Sequence, residues 1–380
     1  MKKIICLIIV FVCIISNNCY ATDNELMNEQ KELFGISDFV EETEKYTKDF
    51  FGDIEIGELL NNAIEGNIDN NTILKKVINL LGIEVKSSIQ TLISILVVVV
   101  IHSVLKSISD SLENKNISEI IYYVQYILIV TIIMSNFSNI IETVKETSQN
   151  LVGFMNMLVP ILITLMVYTG SIVTSGLIEP IILFMINFIG NIIQAVLIPL
   201  VPIITVLSIV SKISNKVQID KISSFLKSGV LWFLGIVLTL FVGVISLEGT
   251  LSSSIDGITA KTTKAAVSNV IPVVGKILGD AVDTVLGCGV VLKNAVGVVG
   301  VIVIIGICII PILKIGVITI AYNLAASVIQ PVSDEKIVKL LSEMGGVFKI
   351  LLAILCSISV MLIIGVTLVI KISNSGMMYR

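Results

Sequence analysis

IILFMINFIGNIIQAVLIPLVPIITVLSIV, residues 181–210, runs for 30 residues without a charged side chain. As an α-helix it would reach about 45 Å, against a bilayer hydrocarbon core of about 30 Å. It contains Pro199 and Pro202, and proline removes a backbone donor and crowds the preceding turn. The stretch therefore predicts a kinked span, or a full span followed by a half-span.

Seven further charge-free runs lie at about 89–105, 120–137, 151–169, 229–247, 294–313, 315–329 and 350–370. Helix is the expectation for each, because in lipid the backbone must satisfy its own hydrogen bonds. The run 315–329 is too short to cross alone, and such segments are tolerated only inside protein or beside water. The whole chain agrees: of 380 residues, 55% are hydrophobic and only 14% charged, with a mean hydropathy of +1.00. A soluble domain carries about 25% charged residues, so a soluble enzyme and a disordered chain are both excluded. A net charge of −4 argues against nucleic acid as the main partner. The expected fold is all-α: a polytopic helical membrane protein, residues 87–371, with about seven spans.

The N-terminus reads as a targeting segment. Lys2 and Lys3 precede the short apolar core Ile4–Ser16, and Cys19 and Ala21 offer small residues for cleavage after Ala21. The competing reading is a retained first span, for which the core is short. Residues 22–86 then hold 15 of the chain's 29 acidic residues and 6 basic ones. Leu33, Ile36, Phe39 and Val40 recur at helical spacing, as do Leu59, Leu60, Ile64 and Ile68. This predicts a small helical extracytoplasmic region. It serves either as a docking platform for a partner or as a solvated helix pair that only sets topology.

Orientation follows from the lysines. The loop holding Lys212, Lys216, Lys221 and Lys227 contains one acid, Asp220, and is expected to be cytoplasmic by the positive-inside rule. With residues 22–86 outside, an odd number of crossings must separate the two, which splitting the 181–210 run would provide. Lys371 and Arg380 suggest a cytoplasmic tail over 372–380.

Residues 249–300 are neither a plain span nor a plain loop. Gly275, Gly279 and Gly287 allow close helix approach. Lys276, Asp280, Asp283 and Asn294 fall on one helical face. Ionisable groups in apolar sequence face protein or water. The stripe reads as a conduit lining or a subunit contact, or else as an interfacial amphipathic helix.

Within this block, IPVVGKILGDAVDTVLGCGVVLKNAVG after SSSIDGITAKTTKAAVS resembles the stage III sporulation protein AE family of endospore-forming Firmicutes. The resemblance extends to AYNLAASVIQPVSDEKIVKLLSEMG, residues 321–345, and covers most of the chain. It implies a membrane subunit of the channel or secretion-like complex that joins the mother cell to the engulfed forespore. It implies as partners the other stage III A proteins, one of them an ATPase, and indirectly the forespore stage II sporulation protein Q. The implied location is the mother-cell membrane surrounding the forespore. The family supplies no catalytic residues to transfer, so no enzyme activity is expected. A self-sufficient secondary transporter and a membrane scaffold presenting the acidic region are the alternatives.

Other chemistry has little footing. His102 is the single histidine, at the end of a span, and reads as interfacial. No phosphate-binding GxxxxGK[ST] loop occurs. GKILGD lacks the Gly-x-Gly-Asp spacing of intramembrane aspartyl proteases. Cys288, Cys308 and Cys356 have no metal-ligand spacing and read as packing residues. No cofactor and no metal are expected.

Overall fold

The computed structural model describes residues 31–52, 55–66, 70–111, 115–213, 219–270, 274–331 and 333–377. The expected signal segment 1–21 lies outside them. Among the described residues the protein is helical throughout. Its elements are α1 (Ile36–Phe51), α2 (Ile56–Glu65), α3 (Asn70–Ser111), α4 (Lys115–Tyr168), α5 (Ile172–Ile192), a π-helical turn (Ile193–Leu197), α6 (Ile198–Ile213), α7 (Asp220–Val270), α8 (Val274–Ile329) and α9 (Glu335–Met377). Among the described residues six helical stretches are long and apolar enough to cross a membrane: Lys75–Ile101, Glu119–Tyr168, Ile172–Ile213, Asp220–Gly249, Val285–Ile329 and Glu335–Ser373.

The expected breaks are absent. The runs 120–137 and 151–169 join within α4, and 294–313 joins 315–329 within α8, across Pro311. The 181–210 run is not split. It continues as one rod through the π turn, where the Ile198 N–H bonds the carbonyl of Ile193, five residues back. That wider turn lies immediately before Pro199, whose ring would crowd the carbonyl of a tighter one. Three long helical stretches therefore separate the acidic region from the lysine loop. If each crosses once, the odd count is met without a split.

The α4–α5 reversal is set by Gly170. Its φ of 86° suits glycine, which has no Cβ to clash in the left-handed region. The Ser171 N–H bonds the Met166 carbonyl at 2.9 Å and the Gly170 N–H bonds the Val167 carbonyl at 3.0 Å, closing the helix end.

Helices α8 and α9 form the central pair, and α4 and α7 pack around it. Small residues allow this closeness. A Cβ on Gly300 would lie 2.6 Å from Leu158 Cδ2, and one on Gly297 would lie 2.2 Å from Ile370 Cδ1. Buried Val296, Val299, Val303, Leu351, Leu355 and Leu362 fill the space between. Helix α3 is peripheral, packing chiefly on α4 and α8.

The N-terminal helices are seated on the bundle. Buried Ile36, Phe39, Thr43, Thr47 and Phe50 form one stripe of α1. Phe34 meets Tyr168 edge-on at 4.8 Å, and Phe39 meets Phe154 at 6.2 Å. Helix α2 docks on α8.

Two expectations conflict on this packing. Ser373, near the end of α9, lies beside Ser171 in the α4–α5 turn. The C-terminal end of α9 is thus at the same end of the bundle as α1, and the 330–334 turn is at the other. A cytoplasmic tail inferred from Lys371 and Arg380 cannot be combined with an outer N-terminal region.

Candidate functional site

Between Asp283 and Lys314, Lys293 is the single charged residue. It sits on α8 and is 1% exposed. Its Nζ donates to Ser373 Oγ at 2.7 Å, and Ser373 Oγ lies 3.2 Å from Ser171 Oγ. Three elements converge here: α8 gives the lysine, α9 one hydroxyl, and the α4–α5 turn the other. One helical turn before Lys293, Gly289 brings its backbone against Tyr168 and Thr169, where a Cβ would lie 2.8 Å from the tyrosine ring. Phe34 covers the same tyrosine. The buried cation is therefore at the end of the bundle that carries the N-terminal helices.

A lysine beside a serine hydroxyl is also the arrangement of a nucleophile and its base. Here both hydroxyls are closed in: Ser171 is 3% exposed and Ser373 1%. Through these contacts the cluster ties α8, α9 and the α4–α5 turn together. Burying a cation costs several kcal/mol unless hydrogen bonds compensate, and the two serines supply part of that compensation.

The opposite end is held by ion pairs. Lys212 Nζ lies 2.8 Å from Asp220 Oδ1 across the α6–α7 connection. Lys227 on α7 pairs with Glu343 on α9. Lys336 sits over the Tyr122 ring at 5.4 Å. The Tyr122 hydroxyl donates to the Lys212 carbonyl at 3.2 Å, and that of Tyr126 to the Ile209 carbonyl at 2.5 Å. Deeper in, Asn136 Nδ2 donates to Tyr322 Oη at 3.1 Å, and Tyr322 packs on Phe348 at 5.0 Å. These contacts draw on the 321–345 stretch singled out from the sequence.

Of the expected stripe, Asn294 is half-buried on α8. The side chains of Lys276, Asp280 and Asp283 lie outside the described part, although the continuous helix from Val274 keeps these four positions on one side by register. Gly275 and Gly279 lie in the first turns of the same helix, and what packs against them is outside the described part. At Gly287 a Cβ would meet no atom within 4 Å, so close helix approach occurs at Gly289, Gly297 and Gly300 instead. The His102 side chain is outside the described part. Cys308 is buried, and Cys288 and Cys356 are half-buried, all three as free thiols. Among the described residues no group of His, Cys, Asp or Glu could hold a metal ion.

Lys293 was legible as the lone charge in a 30-residue apolar neighbourhood, 284–313. A polar residue at such a position is by default a site. The 3.6-residue stripe drew the reading to Asn294, whose side chain points about 100° away.

The family model described as Stage III sporulation protein AE (spore_III_AE) matches residues 54–373, which take in all six long apolar stretches and the Lys293 cluster. Stage III sporulation protein AE of Bacillus subtilis (strain 168) is 29% identical over 307 residues, covering 81% of this chain and 77% of that protein. No solved structure matches. With a model spanning most of its length and a relative aligned over four-fifths of it, the chain belongs to the stage III sporulation protein AE family.

Proposed function

We propose that this protein is a non-catalytic membrane subunit of the mother cell-to-forespore transenvelope complex, a channel or secretion-like apparatus required for endospore formation. In this reading it lies in the mother-cell membrane around the forespore. It works with the other stage III A proteins, including an ATPase subunit, and indirectly with the forespore stage II sporulation protein Q. Membership of a sporulation family supports the setting.

The observation that carries the reading is a length. The helical stretches that hold the candidate spans of α4, α5–α6, α8 and α9 run for 50, 42, 45 and 39 residues. At about 1.5 Å per residue the shortest of these is nearly twice the roughly 30 Å of one hydrocarbon core. A body that tall projects from a single bilayer. The acidic helices α1 and α2 are attached to the end bearing Ser171 and Ser373. Such a shape suits a component that reaches across an envelope space.

The test is Asp280→Asn with Asp283→Asn, followed in sporulating cells at verified normal protein level. A channel subunit predicts blocked forespore development with the protein still in place. A pure scaffold predicts normal development for that variant and loss of function when residues 22–86 are deleted. Solute transport by the purified chain alone in vesicles would instead identify a self-sufficient transporter.

A further inference from the structure

Helix α4 turns a polar side outward where its neighbours turn an apolar one. Between residues 138 and 149 its exposed positions are Ser138, Asn139, Glu142, Lys145, Glu146 and Gln149. At 3.6 residues per turn these share one side of the helix. The other side holds buried Phe137, Ile140, Val144 and Leu151. That is the pattern of a helix lying between a core and water. Thr143 and Thr147 return their hydroxyls to the carbonyls of Asn139 and Thr143, at 2.8 and 2.7 Å. Among the described residues Glu142, Lys145 and Glu146 form no ion pair.

The depth of this strip is fixed by what lies alongside. A Cβ on Gly190 of α5 would lie 2.7 Å from Val152 of α4, and the Tyr126 hydroxyl of α4 bonds the Ile209 carbonyl of α6. The rod from 190 to 209 thus runs beside α4 from 152 back to 126, and the charged strip falls between. That rod belongs to the charge-free run 181–210, with Phe188, Val196, Ile203 and Val206 exposed. A hydrocarbon core of about 30 Å placed anywhere on a helix of about 45 Å covers its middle third. Here that third is about 191–200, level with the strip. Helix α7 shows the same slab from another side. Lys227 pairs with Glu343 and Phe241 abuts Gly365, while Phe137 of α4 meets Phe348, which lies between those two α9 residues. In this stretch α7 exposes Leu231, Trp232, Ile236 and Leu240. Two lipid-type faces therefore stand at the depth where α4 presents carboxylates and an ammonium, groups that hydrocarbon does not hold.

The acidic helix α1 continues the strip. A Cβ on Gly153, one turn beyond Gln149, would lie 3.2 Å from the Tyr46 hydroxyl, and Phe39 and Tyr46 both meet Phe154. With this side of α1 on the bundle, its exposed residues include Asp38, Glu41, Glu42 and Glu44, together with Lys45. We propose that a water-filled cleft enters the bilayer along this side of α4, open at the α1 end and lined mainly by acids, so that it admits cations in preference to anions. Water is the occupant that suits both signs of charge. Glu142 and Glu146 are like charges four residues apart and repel, and water solvates each of them separately. A packed protein surface would have to supply a counter-charge for every one of these groups. What the water serves rests on the channel reading, whereas the cleft is detected without reference to spore formation, so the two can fail separately.

The test uses the full chain with all six native cysteines replaced by alanine. Asn139→Cys, Glu142→Cys and Glu146→Cys are introduced one at a time, with Val196→Cys as the lipid-side control. Membranes of sporulating cells are treated from both sides with methanethiosulfonates too polar to cross a bilayer, one bearing a trimethylammonium group and one a sulfonate. The expected result is modification of a strip position by the cationic reagent on the order of tenfold faster than of Val196→Cys. At Asn139→Cys, where the acids are intact, the cationic-to-anionic rate ratio should exceed that of a free thiol in solution several-fold. Modification no faster than the control at every strip position that accumulates overturns the cleft. So does modification seen in the purified chain in vesicles but lost in the cell membranes, which would mark a surface covered by a partner protein. A rate ratio no higher than that of the free thiol overturns the preference for cations. Depth is checked by fluorescence in vesicles of chain-brominated phospholipid, using the single native Trp232 and, in a Trp232→Phe background, Val196→Trp. Both tryptophans should be quenched relative to unbrominated vesicles. An unquenched Val196→Trp would put the strip outside the bilayer and overturn the proposal as well.

Discussion

The central pair α8–α9 and the peripheral helix α3 make opposite use of apolar sequence. The apolar 18-residue windows within α8 and α9 have mean hydropathies of 3.1 and 2.8, and about half of each window is enclosed by protein. The corresponding window of α3 is the least apolar of the six, at 1.8, and the most exposed. In water the most apolar segment goes inside because water expels it. In lipid that force is absent between helices, and close packing decides instead. Helices α8 and α9 are inside because Gly297, Gly300 and Gly365 let neighbours approach, and because Lys293 needs enclosure. Helix α3 keeps a polar stripe, with Ser87, Gln90 and Ser94 exposed.

The comparison breaks most readily at the glycines. Gly300→Leu would drive a side chain into Leu158, and overpacking of this kind costs about 1–3 kcal/mol or more. The expected outcome is a variant that fails to accumulate or melts well below the parent in detergent. Gly287→Leu, at a position with open space, should accumulate normally. Equal behaviour of the two would mean that tight approach does not define the centre.

A smaller effect is expected at the buried cation. Ser373→Ala leaves Lys293 enclosed with one hydrogen bond fewer, which costs about 1–3 kcal/mol. Lys293→Met removes the charge at similar volume, and such replacements are often neutral or stabilising. Thermal melting should therefore rank Ser373→Ala below Lys293→Met. The reverse order would show that the lysine, and not the packing around it, supports the cluster.

At the other end of the pair, Lys227→Ala breaks the contact with Glu343, whose side chains are 16% and 35% exposed. Screening by water limits the expected loss to about 1 kcal/mol. Exchanging the two residues, Lys227→Glu with Glu343→Lys, should restore most of the melting temperature.

The smallest effect belongs to α3. Gln90→Ala should not change the melting temperature of the isolated chain, because its side chain is on the exposed flank. A clear loss of monomer stability would mean that the α3 stripe serves the fold itself.

The fold class was readable because a charge-free 30-residue run has few places to be other than lipid. The helical stripe of α1 was plain from spacing at Ile36 and Phe39, which are buried, whereas Leu33 of the same reading is exposed and precedes the helix and Val40 is half-buried. The continuity of the rods was not readable. Ser138, Asn139, Glu142, Lys145 and Glu146 interrupt the apolar runs of α4, and in sequence that resembles a loop. In the fold the interruption stays helical, with Asn139, Glu142 and Lys145 along its sides. The proline signal was real, but its outcome was a widened turn and not a break. The Lys293–Ser373–Ser171 cluster was hidden by distance: its partners lie 80 and 202 residues apart in pairs, and no local pattern links them.

The π turn over Ile193–Leu197 carries a consequence for chain length. Such a turn is an α-helix holding one surplus residue, and the buried series Ile189, Ile193, Leu197, Val201 passes through it at a constant step of four. The rod thus contains a spacer. Taking out Ala195 would return the segment to ordinary winding while Thr205 and Ser208 keep facing inward, whereas the same excision at Leu183 would turn everything beyond it by about 100°. Of all the places where this helix could grow or shrink by a single amino acid, this is the one where its two halves would stay in step.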